Sequence, residues 1–228
     1  TNAYQSISAV PLMIAMDAEW GLGMRLDGPE VMDFPRQITL GAIEDDHLIY
    51  QMGREIARQL RRVGTQINFA PVADINNNPD NPVINFRSFG ENREDVTAKS
   101  LAYMKGLQKA GIITSAKHFP GHGDTGVDSH FDIPVLNHSR ARLDSLELYP
   151  YRELISNGLQ GVMVAHLNLP ALDSTKSLAS TLSKPIVTGL LRDELKFQGL
   201  VFTDAMDMKG ATKMFPEGTA NVKAILAG

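Results

Sequence analysis

Short apolar runs alternate along the chain with longer segments in which apolar residues recur at helical spacing. The runs predict buried strands, because they are short and rich in apolar residues rather than apolar at every second position. They occupy residues 10–16, 65–72, 112–116, 161–165 and 199–203. The segments between them predict helices, over residues 45–63, 91–110, 144–156, 185–195 and 220–226. The pattern therefore predicts five strand–helix units, with Pro150 as a point at which the third helix is kinked or split.

Strands that alternate with helices pair in parallel through right-handed helical crossovers. Polar residues follow the carboxyl ends of the successive predicted strands, namely Asp17, Asp74, Lys117 with His118, His166, and Asp204. Polar chemistry at that end of parallel strands is typical of a (β/α)8 barrel of the TIM type. A doubly wound open sheet is the alternative, but no glycine-rich phosphate-binding sequence follows the first strand.

Five units are fewer than the eight of a closed barrel, which typically takes about 250 residues. The chain has 228 residues, opens on a predicted strand and stops inside a predicted helix. We therefore expect residues 1–228 to be one catalytic barrel domain that is truncated at both ends. Further domains of the same polypeptide are expected outside it.

Composition narrows the class of protein. An apolar fraction of 43% suffices for one sizeable core. A net charge of −4 and a pI near 5.8 argue against a nucleic-acid partner, and no apolar run is long enough to span a membrane. The absence of cysteine excludes disulfides and thiolate metal sites. The location stays open, with the periplasm or the exterior favoured over the cytoplasm.

The segment Lys117–His130, KHFPGHGDTGVDSH, concentrates histidines, aspartates and turn-forming residues. Pro120, Gly121 and Gly123 are incompatible with a regular helix, so the segment predicts a loop at the end of a strand. Burying so many titratable side chains without partners would cost several kcal/mol each. Loops on a rigid scaffold commonly carry catalytic groups, and this one is therefore predicted to be functional.

Glycoside hydrolysis needs a carboxylate on one side of the sugar and a proton donor on the other. Asp204, directly after its strand, is placed for the first role, with Asp207 as its rival. No carboxylate in the segment stands out as the donor, but His130 has a suitable ordinary pKa near 6.5. Asp128 can accept a hydrogen bond from His130 and fix its tautomer, as the aspartate of a serine-hydrolase triad does.

The sequence offers groups for two other chemistries. The loop can also gather a zinc site from His118, His122, Asp124 and Asp128. A serine nucleophile is disfavoured, because there is no G-x-S-x-G and the neighbours of Ser129 on an extended loop point apart. A metal-dependent hydrolase thus remains an alternative.

The sequence KHFPGHGDT followed by DSH resembles the signature of family 3 glycoside hydrolases, in the β-N-acetylglucosaminidase branch. Residues 201–210, VFTDAMDMKG, resemble the nucleophile segment of that family. The resemblance implies a retaining exo-hydrolase for terminal β-linked GlcNAc, with peptidoglycan fragments as the substrate source. It also implies Asp204 as the nucleophile and a His130–Asp128 dyad as the acid/base, without a metal or other cofactor.

The same resemblance implies which residues bind the carbohydrate: Asp17, Arg25, Arg87, Lys117 and His118, to which we add His166 as a wall residue. The sequence WGLGMRL around Arg25 departs from the family pattern. The assignment of Arg25 is therefore not supported by a matching local sequence. Two further alternatives stay open. One is a phosphorylase, because a histidine acid/base does not repel phosphate as a carboxylate would. The other is a barrel that binds amino sugars without turnover.

Overall fold

The computed structural model describes residues 1–215 and 218–228, which contain five parallel strands. They are β1 (Ala15–Met16), β2 (Ile67–Asn68), β3 (Ile113–Phe119), β4 (Gly161–Val164) and β5 (Leu200–Thr203). Each strand pairs with the next one along the chain. Sequential order is that of a (β/α)8 barrel, whereas a doubly wound sheet reverses its order at a switch point. The structure is an open half-barrel, which confirms the predicted barrel-type fold.

Helices connect the strands. They are α1 (Asn2–Ile7), α2 (Gln37–Gly41), α3 (Asp46–Arg62), α4 (Arg93–Lys109), α5 (Arg140–Ser145), α6 (Tyr149–Ser156), a π-helix (Pro185–Glu194), α7 (Lys209–Thr212) and α8 (Thr219–Ala227). Asp45 and Asn92 cap α3 and α4 by accepting hydrogen bonds from backbone N–H groups of the first turn. Nowhere in the described ranges is a helix long and apolar enough to cross a membrane.

The predicted helix over residues 144–156 is two helices, α5 and α6. Pro150 lies in the first turn of α6, where a missing N–H leaves no helical hydrogen bond unmade. The split was predicted, but α5 begins earlier, at Arg140, where the Ser139 hydroxyl accepts a hydrogen bond from Arg142 N–H. The local capping signal therefore decides where the first of the two helices starts.

The first two strands are shorter than predicted. Residues before Ala15 are not buried: Val10 is 74% exposed and Met13 61% exposed. Within the described chain β1 pairs only with β2, so the apolar run ahead of it lacks a second neighbour. Regular pairing of β2 stops at Asn68, although Ser115 and Lys117 still donate backbone hydrogen bonds to the carbonyls of residues 70 and 71.

The third strand is longer than predicted. It runs through Phe119, so Lys117 and His118 lie in β3 and not in a loop. Lys117 donates its N–H to the Pro71 carbonyl, and its own carbonyl accepts from the N–H of Ala73. The sheet therefore holds both side chains. The remaining connection to α5, residues 120–139, is called the motif loop below.

The core consists of two main clusters. The first packs α3 and α4 on the early strands, through Ile49, Ile56, Leu60, Val96, Tyr103 and Leu107. The second packs α6 and the π-helix on β3 and β4, through Phe119, Tyr151, Leu154, Val162, Ile186 and Leu190. Two glycines let α3 and α4 approach closely, since a Cβ on Gly106 would lie 2.2 Å from the Tyr50 carbonyl oxygen and 3.1 Å from the Cα of Gly53.

Gly106→Ala is expected to lower the free energy of unfolding by about 1–3 kcal/mol, because the added methyl group meets backbone that cannot move aside. Gly189→Ala is the matched control inside the π-helix, where the nearest atom to an added Cβ is 4.0 Å away. That change should be neutral or stabilising by up to about 1 kcal/mol. Urea unfolding of the three proteins measures the difference, and equal stabilities would contradict the close helix contact.

Candidate active site

One cleft of about 450 Å³ lies at the carboxyl ends of the strands. Its lining comprises Asp17, Glu19, Met24, Arg25, Phe69, Val83, Arg87, Lys117, His118, His122, Ser129, His130, Met163, Thr203, Asp204 and Ala205. All the predicted site residues are in this set except Asp128 and His166. The carboxyl-terminal face of the half-barrel thus brings together side chains from every strand–helix unit.

A larger concavity, of about 750 Å³, runs along the arginine-rich face of α3. It contains no histidine, and its carboxylate, Glu55, forms an ion pair with Arg58 at 2.6 Å. Long solvated side chains account for this surface. The smaller cleft is therefore the candidate active site.

A buried ion cluster forms the floor of the cleft. The Lys117 ammonium lies 2.7 Å from Asp17 Oδ1 and 2.8 Å from Glu19 Oε1. Arg87 donates two hydrogen bonds to Glu19, from Nη2 at 2.7 Å and from Nε at 3.0 Å. Burial alone would raise the pKa of Glu19, but Lys117 and Arg87 hold that pKa well below its ordinary value of 4.5. Glu19 is therefore an ionised carboxylate that fixes two predicted sugar-binding cations.

Arg25 reaches the same cluster from the rim. Its Nη2 lies 3.2 Å from Asp17 Oδ2, and its Nε donates to the Asp17 backbone carbonyl at 3.0 Å. Despite the unusual local sequence, the structure places Arg25 in the cleft beside the first predicted sugar-binding residue. Asp17 is thus held between two cations, Arg25 and Lys117.

Asp74 is a fully buried carboxylate that positions two histidines. Its Oδ2 accepts hydrogen bonds from the backbone N–H and the Nδ1 of His118, at 3.1 and 2.7 Å. Its Oδ1 accepts from the backbone N–H of His122 at 2.7 Å. Asp74 follows a predicted strand, yet it was not among the predicted site residues. Its position at the start of an asparagine-rich loop was the feature of the sequence that could have identified Asp74 as a site residue.

His122 is a buried, neutral positioning residue. Burial, reinforced by the nearby His118, lowers the pKa of His122 to about 4. Its Nδ1 lies 2.7 Å from Thr125 Oγ1, and its Nε2 lies 3.2 Å from Ser129 Oγ. Since Ser129 separates Asp128 from His130, this ring holds the middle of the DSH triplet.

The asparagine-rich loop, residues 74–91, packs against the motif loop and forms hydrogen bonds to its backbone. Asn81 Nδ2 donates to the carbonyls of His122 and Gly123 at 2.8 and 3.0 Å. A Cβ on Gly123 would lie 1.7 Å from the Ile75 carbonyl oxygen, so only glycine allows this approach. Gly123, the second glycine of Gly121-His122-Gly123, is therefore needed for packing between the two loops.

His130 and Asp128 form a directly bonded pair. The His130 ring donates from Nδ1 to Asp128 Oδ1 at 2.6 Å, and the His130 backbone N–H donates to the same oxygen at 2.8 Å. Burial alone would raise the pKa of Asp128, but these two hydrogen bonds lower it. The His130 side chain is 59% exposed and lines the cleft.

Asp204 follows β5 directly and lines the cleft. Burial alone would raise the pKa of Asp204, but the fields of His118 and Lys117 and the Ala205 N–H, which donates to Oδ1 at 2.8 Å, lower it. The carboxylate is therefore ionised at neutral pH. Asp207 is exposed and does not line the cleft, so the geometry favours Asp204 of the two.

His166 lies beneath the cleft and not in its wall, contrary to expectation. It is fully buried, with Nδ1 2.8 Å from Thr181 Oγ1 and Nε2 3.0 Å from the Ala205 carbonyl oxygen. Burial lowers the pKa of His166. Both ring nitrogens contact protein groups, so His166 supports the residue after Asp204.

The proposed zinc grouping of His118, His122, Asp124 and Asp128 was wrong. His118 is bonded to Asp74, Asp128 to His130, and Asp124 contacts His138 at 2.7 Å. Across residues 1–215 and 218–228, the group of three possible ligands whose ligand atoms lie within 4.8 Å of one another is Asp124, His138 and Glu147. The four histidines and aspartates are thus used in separate contacts.

Glu19→Gln is expected to lower the free energy of unfolding at pH 7 by about 3–5 kcal/mol, because it leaves buried cations without their partner. The pKa of Glu19 is lower in the folded than in the unfolded protein, so its carboxylate stabilises the fold fully above pH 4.5. The advantage of glutamate over glutamine should shrink as the pH falls below that value.

Urea unfolding between pH 7 and pH 3 measures this difference. Glu44→Gln, at an exposed position, is the control and should change stability by less than about 0.5 kcal/mol. A Glu19→Gln effect that is absent at pH 7, or that does not diminish at low pH, would argue against the ionised buried cluster.

The family model described as Glycosyl hydrolase family 3 N terminal domain matches residues 1–228. Beta-hexosaminidase A of Pseudoalteromonas piscicida is 40% identical over 239 residues, which cover 99% of this chain and 40% of that protein. A solved family 3 beta-N-acetylglucosaminidase from Paenibacillus sp. FPU-7 superimposes with a TM-score of 0.92 and 44% identity, over 98% of this chain and 43% of that one.

The solved beta-glucoside phosphorylase BglX superimposes with a TM-score of 0.94 and 30% identity, over 100% of this chain and 43% of that one. The chain thus spans less than half the length of these relatives. The match over the whole chain confirms the resemblance carried by the two motifs. The chain belongs to glycosyl hydrolase family 3, as its N-terminal domain.

Proposed function

We propose that the protein to which this chain belongs is a retaining exo-β-N-acetylglucosaminidase. One observation carries the proposal: Asp204 and His130 line the same cleft, and Asp128 holds the Nδ1 of His130 at 2.6 Å. A carboxylate and a proton donor on one cleft are the two groups that glycoside hydrolysis requires. The names of the beta-hexosaminidase and beta-N-acetylglucosaminidase relatives support terminal β-linked GlcNAc as the substrate. Peptidoglycan fragments are the proposed source of that sugar.

In the first step the ionised Asp204 attacks the anomeric carbon while the bond to the leaving oxygen breaks. The leaving oxygen takes a proton from His130 Nε2. Because Asp128 accepts the hydrogen bond from Nδ1, Nε2 is the nitrogen left to exchange protons. The Asp128 carboxylate also stabilises the imidazolium from which the proton leaves, as the third member of a triad does.

In the second step His130 Nε2, now unprotonated, takes a proton from water as the water oxygen attacks the anomeric carbon. The bond to Asp204 breaks, and the carboxylate is regenerated. Two displacements at one carbon give net retention of configuration. The partly exposed His130 ring allows water to reach this position after the leaving group has gone.

The ion cluster supplies the groups that orient the sugar. Asp17 accepts hydrogen bonds from ring hydroxyls, and Lys117, Arg87 and His118 offer polar contacts beside it. Glu19 fixes the first two of these cations from below, which holds the binding groups rigid. Rigid placement of the sugar against the reacting groups is a large part of the rate that an enzyme gains.

A phosphorylase is the second candidate, and a specific observation favours it. The acid/base of this site is a histidine, which does not repel an incoming phosphate as a carboxylate would. The cleft also carries Arg25, Arg87 and Lys117, and the BglX relative is named as a phosphorylase. In that reaction phosphate replaces water in the second step, and the product is a sugar 1-phosphate.

Asp204→Ala and Asp204→Asn are expected to reduce cleavage of a chromogenic β-GlcNAc glycoside by the full-length protein to the background rate, because no covalent intermediate can form. His130→Gln should lower kcat/KM by about 10²–10⁴-fold, the usual contribution of a general acid. His47→Gln, at an exposed position of α3, is the matched control and should leave the rate unchanged.

Covalent trapping by a slow fluorinated substrate completes the assignment. Trapping on wild type but not on the Asp204 variants is expected, and retained trapping in an Asp204 variant would refute its role as the nucleophile. Inactivity of a folded wild-type protein toward both the β-GlcNAc and the β-glucoside substrates would favour an amino-sugar-binding protein. Loss of activity with EDTA would show that turnover depends on a bound metal ion.

Replacing the buffer by inorganic phosphate separates the two enzyme candidates. A hydrolase releases free GlcNAc at the same rate in both buffers. A phosphorylase turns over faster in phosphate and releases a sugar 1-phosphate, which is resistant to reducing-sugar assays and detectable by mass.

A further inference from the structure

A second group of titratable side chains lies outside the cleft, at the two ends of the motif loop. Asp124 and His138 belong to that loop, and Glu147 lies in the connection between α5 and α6. One ligand atom from each residue lies within 4.8 Å of the others, and His138 Nε2 is 2.7 Å from Asp124 Oδ2. None of the three lines the cleft. The group is therefore separate from the site described above.

Two atoms of this group have unmet bonding capacity. Glu147 is only 5% exposed, and its buried Oε2 has no hydrogen-bond partner. His138 Nε2 is also buried and makes no well-directed hydrogen bond, despite its short distance to Asp124. A buried carboxylate oxygen without a partner is costly and uncommon in folded proteins. One carboxylate oxygen of Glu147 lies within 4.8 Å of a ring nitrogen of His138 and of a carboxylate oxygen of Asp124.

Arg142 is the cation nearest to the group, and it does not satisfy both carboxylates. Its Nη2 lies 3.2 Å from Glu147 Oε1 but 3.7 Å from Asp124 Oδ2. Its Nε is itself buried without a partner. The arginine therefore pairs with one carboxylate oxygen of Glu147 and leaves the other, Oε2, without a partner.

One imidazole and two carboxylates match the ligands of zinc, with water in the fourth position. Zinc bonds of about 2.0–2.2 Å place tetrahedral ligand atoms about 3.3–3.6 Å apart. To reach that spacing, the longer distances between ligand atoms, at most 4.8 Å, must shorten. The 2.7 Å distance between His138 Nε2 and Asp124 Oδ2 must lengthen. Metal binding requires the three side chains to make both movements. Cysteine, which would favour softer metals, is absent from the chain.

We propose that Asp124, His138 and Glu147 bind a divalent transition-metal ion of the zinc type, which ties both ends of the motif loop to the α5–α6 connection. The DSH triplet lies between Asp124 and His138 in the chain. Glu147 also supports the start of the loop, because a Cβ on Gly121 would lie 2.7 Å from the Cβ of Glu147. The ion does not touch the substrate, and its effect is on the placement of His130.

Titration of the metal-stripped full-length protein with Zn²⁺ by isothermal calorimetry tests the site directly. One ion per chain is expected in wild type. His138→Ala and Glu147→Gln should each weaken binding by at least about 10–100-fold, since each removes a ligand. The matched controls are His130→Ala, which removes the other exposed histidine paired to an aspartate, and His47→Ala on α3; both should bind as wild type does.

Hydrogen exchange gives a readout independent of activity. Zn²⁺ should slow exchange of the amides over residues 125–137 in wild type but not in His138→Ala, because a ligand that binds the folded state stabilises it. Circular dichroism checks that each variant is folded; His138 is partly exposed, so its variant tests the site even if Glu147→Gln is unstable.

Three results would overturn the proposal. The first is the absence of stoichiometric Zn²⁺ binding by wild type. The second is unchanged binding in His138→Ala, or loss of binding in His130→Ala instead, which would place the ion in the cleft. The third is binding without any change in exchange over residues 125–137, which would refute the tie to the motif loop.

Discussion

The carboxylate of Glu19 is the charge on which the cleft depends. It lies between Lys117 from β3 and Arg87 from the asparagine-rich loop, and it comes itself from the segment after β1. Its backbone carbonyl is fixed too, because Gln37 Nε2 and the Tyr103 hydroxyl donate to it at 2.8 and 2.9 Å. Three strand–helix units thus meet at a single buried residue. Without this anion, the floor of the cleft would hold two cations with no counter-charge, which a low-dielectric interior does not tolerate.

A second layer of polar contacts orders the loops around that floor. The asparagine-rich loop has no regular structure beyond a short 3-10 turn, Asn85–Arg87. Asp74 and Asn81 provide the hydrogen-bond partners that a strand or helix would otherwise provide. They bond backbone groups of the motif loop at its first bend. Buried backbone groups need such partners. The position of the DSH triplet is therefore fixed by a neighbouring loop as much as by its own sequence.

Local signals in the sequence predicted much of this architecture. The apolar stripes of α3 and α4 are local to each helix, so the bounds of both helices were predicted to within two residues. Asp17 and Asp204 were predicted as candidates from their positions after strands, and the family resemblance implied their roles. The sequential strand order followed from the repeated strand–helix pattern.

The errors come from contacts between distant segments. Lys117 and His118 look like loop residues by composition, but pairing with the neighbouring strands decides their backbone conformation. The role of Glu19 requires two partners that are 68 and 98 positions away in the chain. Val10 and Met13 are apolar yet exposed, because burial depends on what covers a strand and not on the strand itself. Contacts between distant segments leave no periodic pattern in the sequence, so they could not be predicted from it.

The short spacing of His130 and Asp128 has a consequence for how this half-barrel can change. The two residues lie two positions apart, and two nitrogens of His130 donate to one oxygen of Asp128. A single insertion or exchange of the motif loop therefore removes or transfers both together. Asp204 belongs to a different strand–helix unit and is untouched by such an exchange. In the proposed mechanism the proton donor and the nucleophile thus lie on separable parts of the fold.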